Sequence, residues 1–372
     1  MASGPDSPDD PGDRRTDQAL REIVVARLER TGLLTFPEFL SIVLHEPSLG
    51  YYERARPILG RAGDFTTASQ LHDLLGWTLA EEAIRCWSDL ECPEDFQIVE
   101  LGPGEGHLMK AMGDWLRAKH LPLDRWSVYL VETSPTLRRA QERRVSGIRG
   151  LRWVGSVSEI PPGPGFWVGS EFLDALPFHI LVSRGGSWKE VYVGRDRAEG
   201  QTLTAREGPL SSGLPPGELP DLAPDGVRME FRPALGPLMR EIRRSLARGR
   251  VVFLDYGAHR ERLWGDHPGG TLEVYHRHQV SRDPFSDLGS RDISAWVDFT
   301  HVQKAAKVAG LDPDPLRSQA EFLWESGMPQ VLDRLDILGI DETEKVRARL
   351  AMKSYLFAYP TFQAQVLRAH GP

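Results

Sequence analysis

The chain has 372 residues, 40% of them hydrophobic, and its 45 Lys and Arg against 53 Asp and Glu leave a net charge of −8. That suffices for one large α/β domain with additions or for two domains. No apolar run approaches the roughly 18 residues of a membrane span, and the acidic balance offers no basic surface for nucleic acid. The two cysteines, Cys86 and Cys92, have neither CxxC spacing nor a histidine cluster nearby, which excludes a zinc site and points to a reducing compartment.

Residues 1–18, rich in Asp, Pro, Ser and Gly, read as a disordered acidic tail. The stretch has neither the apolar segment of a signal peptide nor the Arg-rich character of an organelle presequence, so a cytoplasmic location is expected. Residues 19–96 form a helical and lid region. Leu20, Ile23, Val24 and Leu28 recur at helical spacing over residues 19–31, and Phe36 to Leu44 continues the pattern after a break at Gly32. His45 to Tyr52 is a turn carrying two aromatics. The loop Gly63-Asp-Phe-Thr-Thr-Ala68 combines an acid, an aromatic and two hydroxyls. It can fold over a ligand with Asp64 or Thr66 in polar contact, or Asp64 can cap the helix expected from Gln70 to Trp87.

A core domain is expected over residues 97–372. It opens with Gln97-Ile-Val-Glu-Leu-Gly-Pro-Gly-Glu-Gly106, an apolar run ending at Glu100 and a turn carrying Gly102, Gly104 and Gly106. Glycine tolerates positive φ and lets a ligand approach the backbone. The helix expected from His107 to Ala118 would aim its N-terminal N–H groups at that ligand. A dinucleotide fingerprint requires a further glycine where His107 stands. The E-x-G-x-G-x-G form instead suits S-adenosylmethionine (SAM). Ser127-Val-Tyr-Leu-Val-Glu132, one strand–helix–strand unit later, ends in a carboxylate able to accept both hydroxyls of an adenosyl ribose.

Further strands are expected at Leu151–Val154, Gly165–Gly169 and Arg250–Tyr256, with crossover helices giving a parallel, doubly wound sheet. An insertion at about residues 178–235 carries a hairpin around Arg184-Gly-Gly-Ser187. The last hundred residues add helices, loops and an antiparallel edge pair. After the strand ending near Val168, Glu171 and Asp174 lie three residues apart, and a helical turn there would put both carboxylates on one side. Asp255 and Tyr256 follow the last central strand. Carboxylates at this sheet edge can orient a guanidinium, or can serve as turn caps.

These segments together resemble the MidA-like methyltransferases, a family that includes the mitochondrial complex I assembly-factor arginine methyltransferase. The resemblance runs from about Phe39 to Gly327. It is carried by His45-Glu-Pro-Ser-Leu-Gly-Tyr-Tyr52, Gly63-Asp-Phe-Thr-Thr67, Glu100-Leu-Gly-Pro-Gly104, Val131-Glu-Thr-Ser-Pro135, Glu171-Phe-Leu-Asp-Ala-Leu-Pro177, Trp188-Lys-Glu190, Asp255-Tyr-Gly257, Gly270-Thr-Leu272 and Val297-Asp-Phe299. It implies a class I methyltransferase fold, Rossmann-like, with an N-terminal helical extension, an insertion and C-terminal additions. It also implies SAM as cofactor and arginine methylation on a protein partner.

On this reading Glu100, Gly102, Gly104, Gly106, Glu132, Asp64 and Thr66 bind the cofactor, and Glu171 and Asp174 are catalytic. The sequence departs from the family pattern at Gln70 and Trp77, where acids are usual, at Ser170 in place of Asn, and at Glu273 in place of Arg. A small-molecule O- or N-methyltransferase, and a non-catalytic SAM-binding assembly factor, are the alternatives that these departures leave open.

Overall fold

Short apolar runs flanked by polar turns become the strands of a mostly parallel sheet. The computed structural model describes the chain except residues 1–10, 54–70, 123–124, 149, 197–201, 215–216, 218, 222, 277–278, 359 and 372. It divides into two units, each drawn from three stretches of sequence. The larger comprises Thr66–Asp174, Ala234–Arg260 and Trp296–Pro372; the smaller comprises Met1–Phe65, Ala175–Pro233 and Glu261–Ala295.

The larger unit holds the sheet. Its longer strands are β1 (Gln97–Leu101), β2 (Ser127–Val131), β3 (Leu151–Val154), β4 (Gly163–Ser170), β5 (Leu246–Ala258) and β6 (Phe362–Ala369). Their order is β3-β2-β1-β4-β5-β6, parallel except for β6, which runs antiparallel to β5 from Gly249↔Ala369 to Tyr256↔Phe362. Every residue of β1 is buried, as expected of a central parallel strand covered on both faces. The chain moves outward from β1 through β2 to β3, then returns to place β4 on the other side of β1. Ligands bind at such a reversal, beyond the carboxyl ends of the strands.

The covering helices include α1 (Leu74–Asp89), α2 (His107–Ala118), α3 (Pro135–Arg144), α4 (Leu235–Ser245) and α5 (Glu342–Phe357). The core of this unit collects Leu75, Leu79, Met112, Trp115, Leu130, Phe166 and Val252 among others. Trp77, where the family pattern has an acid, is 3% exposed and stacks on Trp115 with ring centroids 6.2 Å apart.

The smaller unit packs helices Pro11–Thr31 and Phe36–His45 against an antiparallel sheet of Leu34–Thr35, Ser187–Arg195, His179–Arg184 and Arg228–Phe231, with Leu203–Gly208 also paired to Ser187–Arg195. The expected hairpin is present, with positive φ at both Gly185 and Gly186, the requirement of a type I′ turn. The first helix begins at Pro11, so residues 11–18 of the expected disordered tail are helical. Proline suits the first turn, whose N–H groups lack intrahelical acceptors, and Asp13 complements the helix dipole there. The N-terminal and core regions also divide differently from the expected 19–96 and 97–372. α1 belongs with the sheet, whereas the hairpin insertion shares one hydrophobic core with the N-terminal helices.

Candidate active site

The turn after β1 is shaped by its glycines. Gly102, Gly104 and Gly106 have φ of 62°, 52° and 84°, left-handed values that cost other residues strain. Gly102 has a second constraint: a Cβ there would lie 2.7 Å from Cδ2 of Phe172. The turn after β1 and the loop after β4 are thus in direct contact. Gly106 sits at the N-cap of α2 and donates its N–H to the Pro103 carbonyl at 2.7 Å. His107, the residue that breaks the dinucleotide pattern, starts α2 and lies 3.5 Å from the Glu105 carboxylate.

Glu100, near the end of β1, is 3% exposed and accepts the Met109 backbone N–H. Burial, reinforced by the negative charge of nearby Glu132, pushes its carboxyl up to about 8. Its Oε2 has no hydrogen-bond partner among the described residues. Glu132, just past β2, is 8% exposed. Its Oε1 accepts the Ser134 N–H at 2.7 Å, and its Oε2 accepts Nε2 of Gln141 at 2.9 Å. Ser134 in turn caps α3, its Oγ accepting the Leu137 N–H at 3.3 Å.

On the other side of the reversal, Glu171 follows β4 with a φ of 50°, one of the few non-glycine residues in the left-handed region. Its N–H is fixed to the Leu254 carbonyl at 2.8 Å. Left-handed backbone in a non-glycine residue persists only where the surroundings enforce it, and such residues concentrate at functional sites.

The helical turn expected to align Glu171 with Asp174 does not form. The N–H groups of Phe172, Leu173 and Asp174 instead converge on Oδ2 of Asp255, at 3.2, 2.9 and 3.3 Å. Three consecutive amides around one anion make a nest rather than a helix. Asp255 is wholly buried, so this carboxylate anchors the loop. Asp174, 7% exposed, accepts the Tyr256 hydroxyl at 2.5 Å.

Of the expected site residues, Glu100, Gly102, Gly104, Gly106, Glu132, Glu171 and Asp174 all lie in the larger unit, on the turns after β1, β2 and β4 or at their strand ends. Asp64 and Thr66 lie outside the described residues, as does Gln70. Sequence reasoning passed over Gln141 and the Tyr256–Asp174 bond. A signal for Gln141 existed: it lies four residues after Leu137 and four before the buried Val145, on the inward face of an otherwise polar helix. Among the described residues, no group of three or more His, Cys, Asp or Glu could hold a metal ion, and no helix is long and apolar enough to cross a membrane.

Residues 78–316 match the profile of the family described as "Putative S-adenosyl-L-methionine-dependent methyltransferase". The chain belongs to this methyltransferase family. It is 28% identical over 344 residues to the Xenopus tropicalis "Protein arginine methyltransferase NDUFAF7, mitochondrial", covering 85% of this chain and 77% of that protein. The human protein of the same name is 29% identical over 344 residues, covering 82% and 73%. A crystal structure from Burkholderia thailandensis bound to S-adenosyl-homocysteine has a TM-score of 0.82 at 25% identity, covering 97% of this chain and 95% of that one.

The cofactor of this methyltransferase is therefore SAM. Its own residues fit that molecule. A glycine turn at the sheet's reversal point, a buried carboxyl oxygen at Glu100 without a partner among the described residues, and an oriented carboxylate at Glu132 are polar groups of the kind a zwitterionic nucleoside requires. The cytoplasmic expectation is corrected by the relatives, which are designated mitochondrial. It rested on N-terminal composition and on free cysteines, and thiols stay reduced in more than one compartment.

Proposed function

We propose that this methyltransferase acts on an arginine side chain of a protein partner, with Glu171 and Asp174 receiving the guanidinium. The observation that carries this is Glu171 itself. A carboxylate is held in left-handed backbone at the end of β4, in a loop whose Phe172 packs on the glycine turn. The names of the curated relatives, protein arginine methyltransferases, support the same substrate class.

SAM supplies an electrophilic methyl group. The chain's own work is positioning and electrostatics. The glycine turn admits the amino-acid end of the cofactor, with Glu100 buried beneath it, and Glu132 holds the ribose. Glu171 and Asp174 bind the guanidinium through charge-assisted hydrogen bonds. Tyr256 steadies the Asp174 carboxylate through its hydroxyl. Glu171 would also take the proton that the guanidinium nitrogen must shed once it is methylated.

The test is transfer of labelled methyl from SAM into proteins of a deletion strain's lysate, followed by amino-acid analysis. Label in methylarginine, falling on the order of 10²-fold or more in Glu171→Gln while SAM affinity is retained, is the expected result. Label in a small molecule, or in residues other than arginine, would overturn the substrate assignment.

A further inference from the structure

α3 is a polar helix, and Gln141 is its one fully buried side chain. Burying a carboxamide is costly unless its groups are all paired. Here Nε2 donates to the Gly104 carbonyl at 2.7 Å and to Glu132 Oε2 at 2.9 Å, while Oε1 accepts Nε1–H of Trp153 at 2.9 Å. The orientation of the amide follows from its neighbours. An indole N–H can only donate, so the atom facing it is the oxygen; a carbonyl and a carboxylate can only accept, so the atom facing them is the nitrogen. One side chain therefore ties together the glycine turn after β1, the acid after β2 and Trp153 of β3.

We infer that Gln141 is a positioning residue for the cofactor: it fixes the Glu132 carboxylate relative to the Gly104 backbone and so sets affinity for the adenosyl ribose. The inference rests on the reading of Glu132 as ribose acceptor. Glutamine suits this task because both N–H groups of one neutral nitrogen go to acceptors on separate loops. A leucine of similar size would leave a half-buried carbonyl and a buried carboxylate oxygen each short of one donor. A glutamate would set a second negative charge beside Glu132 unless a proton lay between them.

That last property separates positioning from mere packing. Calorimetric titration with SAM at pH 8 and pH 6 would compare the wild type with Glu132→Ala, Gln141→Glu, Gln141→Leu and Trp153→Phe, with the melting temperature of each recorded. Expressing each affinity as a ratio to wild type at the same pH cancels the titration of the ligand and of Glu100. Gln141→Glu should bind about tenfold or more weaker at pH 8 and recover most of that loss at pH 6, where a shared proton restores a donor. Gln141→Leu should lose as much at both pH values without recovery. Trp153→Phe, which leaves the amide but removes its anchor, should lose severalfold.

A Gln141→Glu ratio that does not change with pH, beside a Glu132→Ala variant that has lost binding, overturns the role of Gln141 alone. Undiminished binding by Glu132→Ala overturns the ribose reading on which it rests. Should Gln141→Glu fail to fold at pH 8, Trp153→Phe decides: unchanged affinity there defeats the inference.

Discussion

The two sides of the strand reversal are held by different means. On the side of β1 and β2, flexible glycines give the turn its shape, and a neutral amide ties it to Glu132. On the side of β4 and β5, a residue that resists positive φ is forced into it, and a buried carboxylate gathers the following amides. The first arrangement has little backbone strain, since glycine adopts these angles freely. The second stores strain and depends on one anchor. A binding surface for a cofactor common to a whole family tolerates a relaxed scaffold. On the mechanism proposed above, Glu171 must meet a reacting nitrogen within a fraction of an ångström, which calls for backbone held in one conformation.

Removing the anchor should have the largest effect. Asp255→Ala leaves three converging amides, two of them buried, without their acceptor and should lower unfolding free energy by about 3 kcal/mol or more, read by urea denaturation, with methyl transfer lost as the loop relaxes. Stability no lower than wild type would show that the β4 side is not held by this carboxylate.

The next effect belongs to the β1 side and depends on pH. Folding raises the Glu100 carboxyl from 4.5 to about 8, so between those values the folded chain keeps a proton that the unfolded chain has lost. This contribution to stability is complete below the unfolded value and falls by up to about 1.4 kcal/mol per pH unit as pH rises, levelling off above the folded value. Glu100→Gln should flatten that slope between pH 5 and pH 8 in thermal melts. A slope unchanged by the substitution would mean that Glu100 is ionised in the folded protein.

The smallest effect is the most discriminating. Glu171→Gly should be more stable than Glu171→Ala by about 1 kcal/mol, because only glycine sheds the left-handed strain. Neither variant should transfer methyl groups at the wild-type rate. Equal stabilities would indicate that the backbone at Glu171 relaxes without cost, and the contrast between the two sides would lose its basis.

Much of the fold was legible because buried parallel strands write themselves as apolar runs. Val128-Tyr-Leu-Val131 and Phe166-Trp-Val168 fall inside observed strands, and the helix read from His107 to Ala118 has those limits. The glycine turn and Glu132 were legible for the same reason, since they end such runs. That Glu171 and Asp174 do not share a helical turn was not recoverable from the sequence. Local spacing allowed the helix, but Asp255, 81 to 83 positions away in sequence, captured the amides. Gln141 sits among arginines and a glutamate, and its spacing from Leu137 and Val145 was the only mark of its burial. Asp255 could be read as ligand group or as turn cap, and its three amide partners assign it the second role.

The antiparallel pairing of β5 with β6 also orders events during synthesis. β5 has emerged by Ala258, but its partner begins only at Phe362. Until then the nascent sheet presents an apolar strand with an open row of backbone donors and acceptors, a template for pairing with the wrong chain. The protein thus spends the translation time of that intervening stretch with the apolar run Val251–Leu254 of β5 on an edge, and that interval is when a holding chaperone would matter most to its yield.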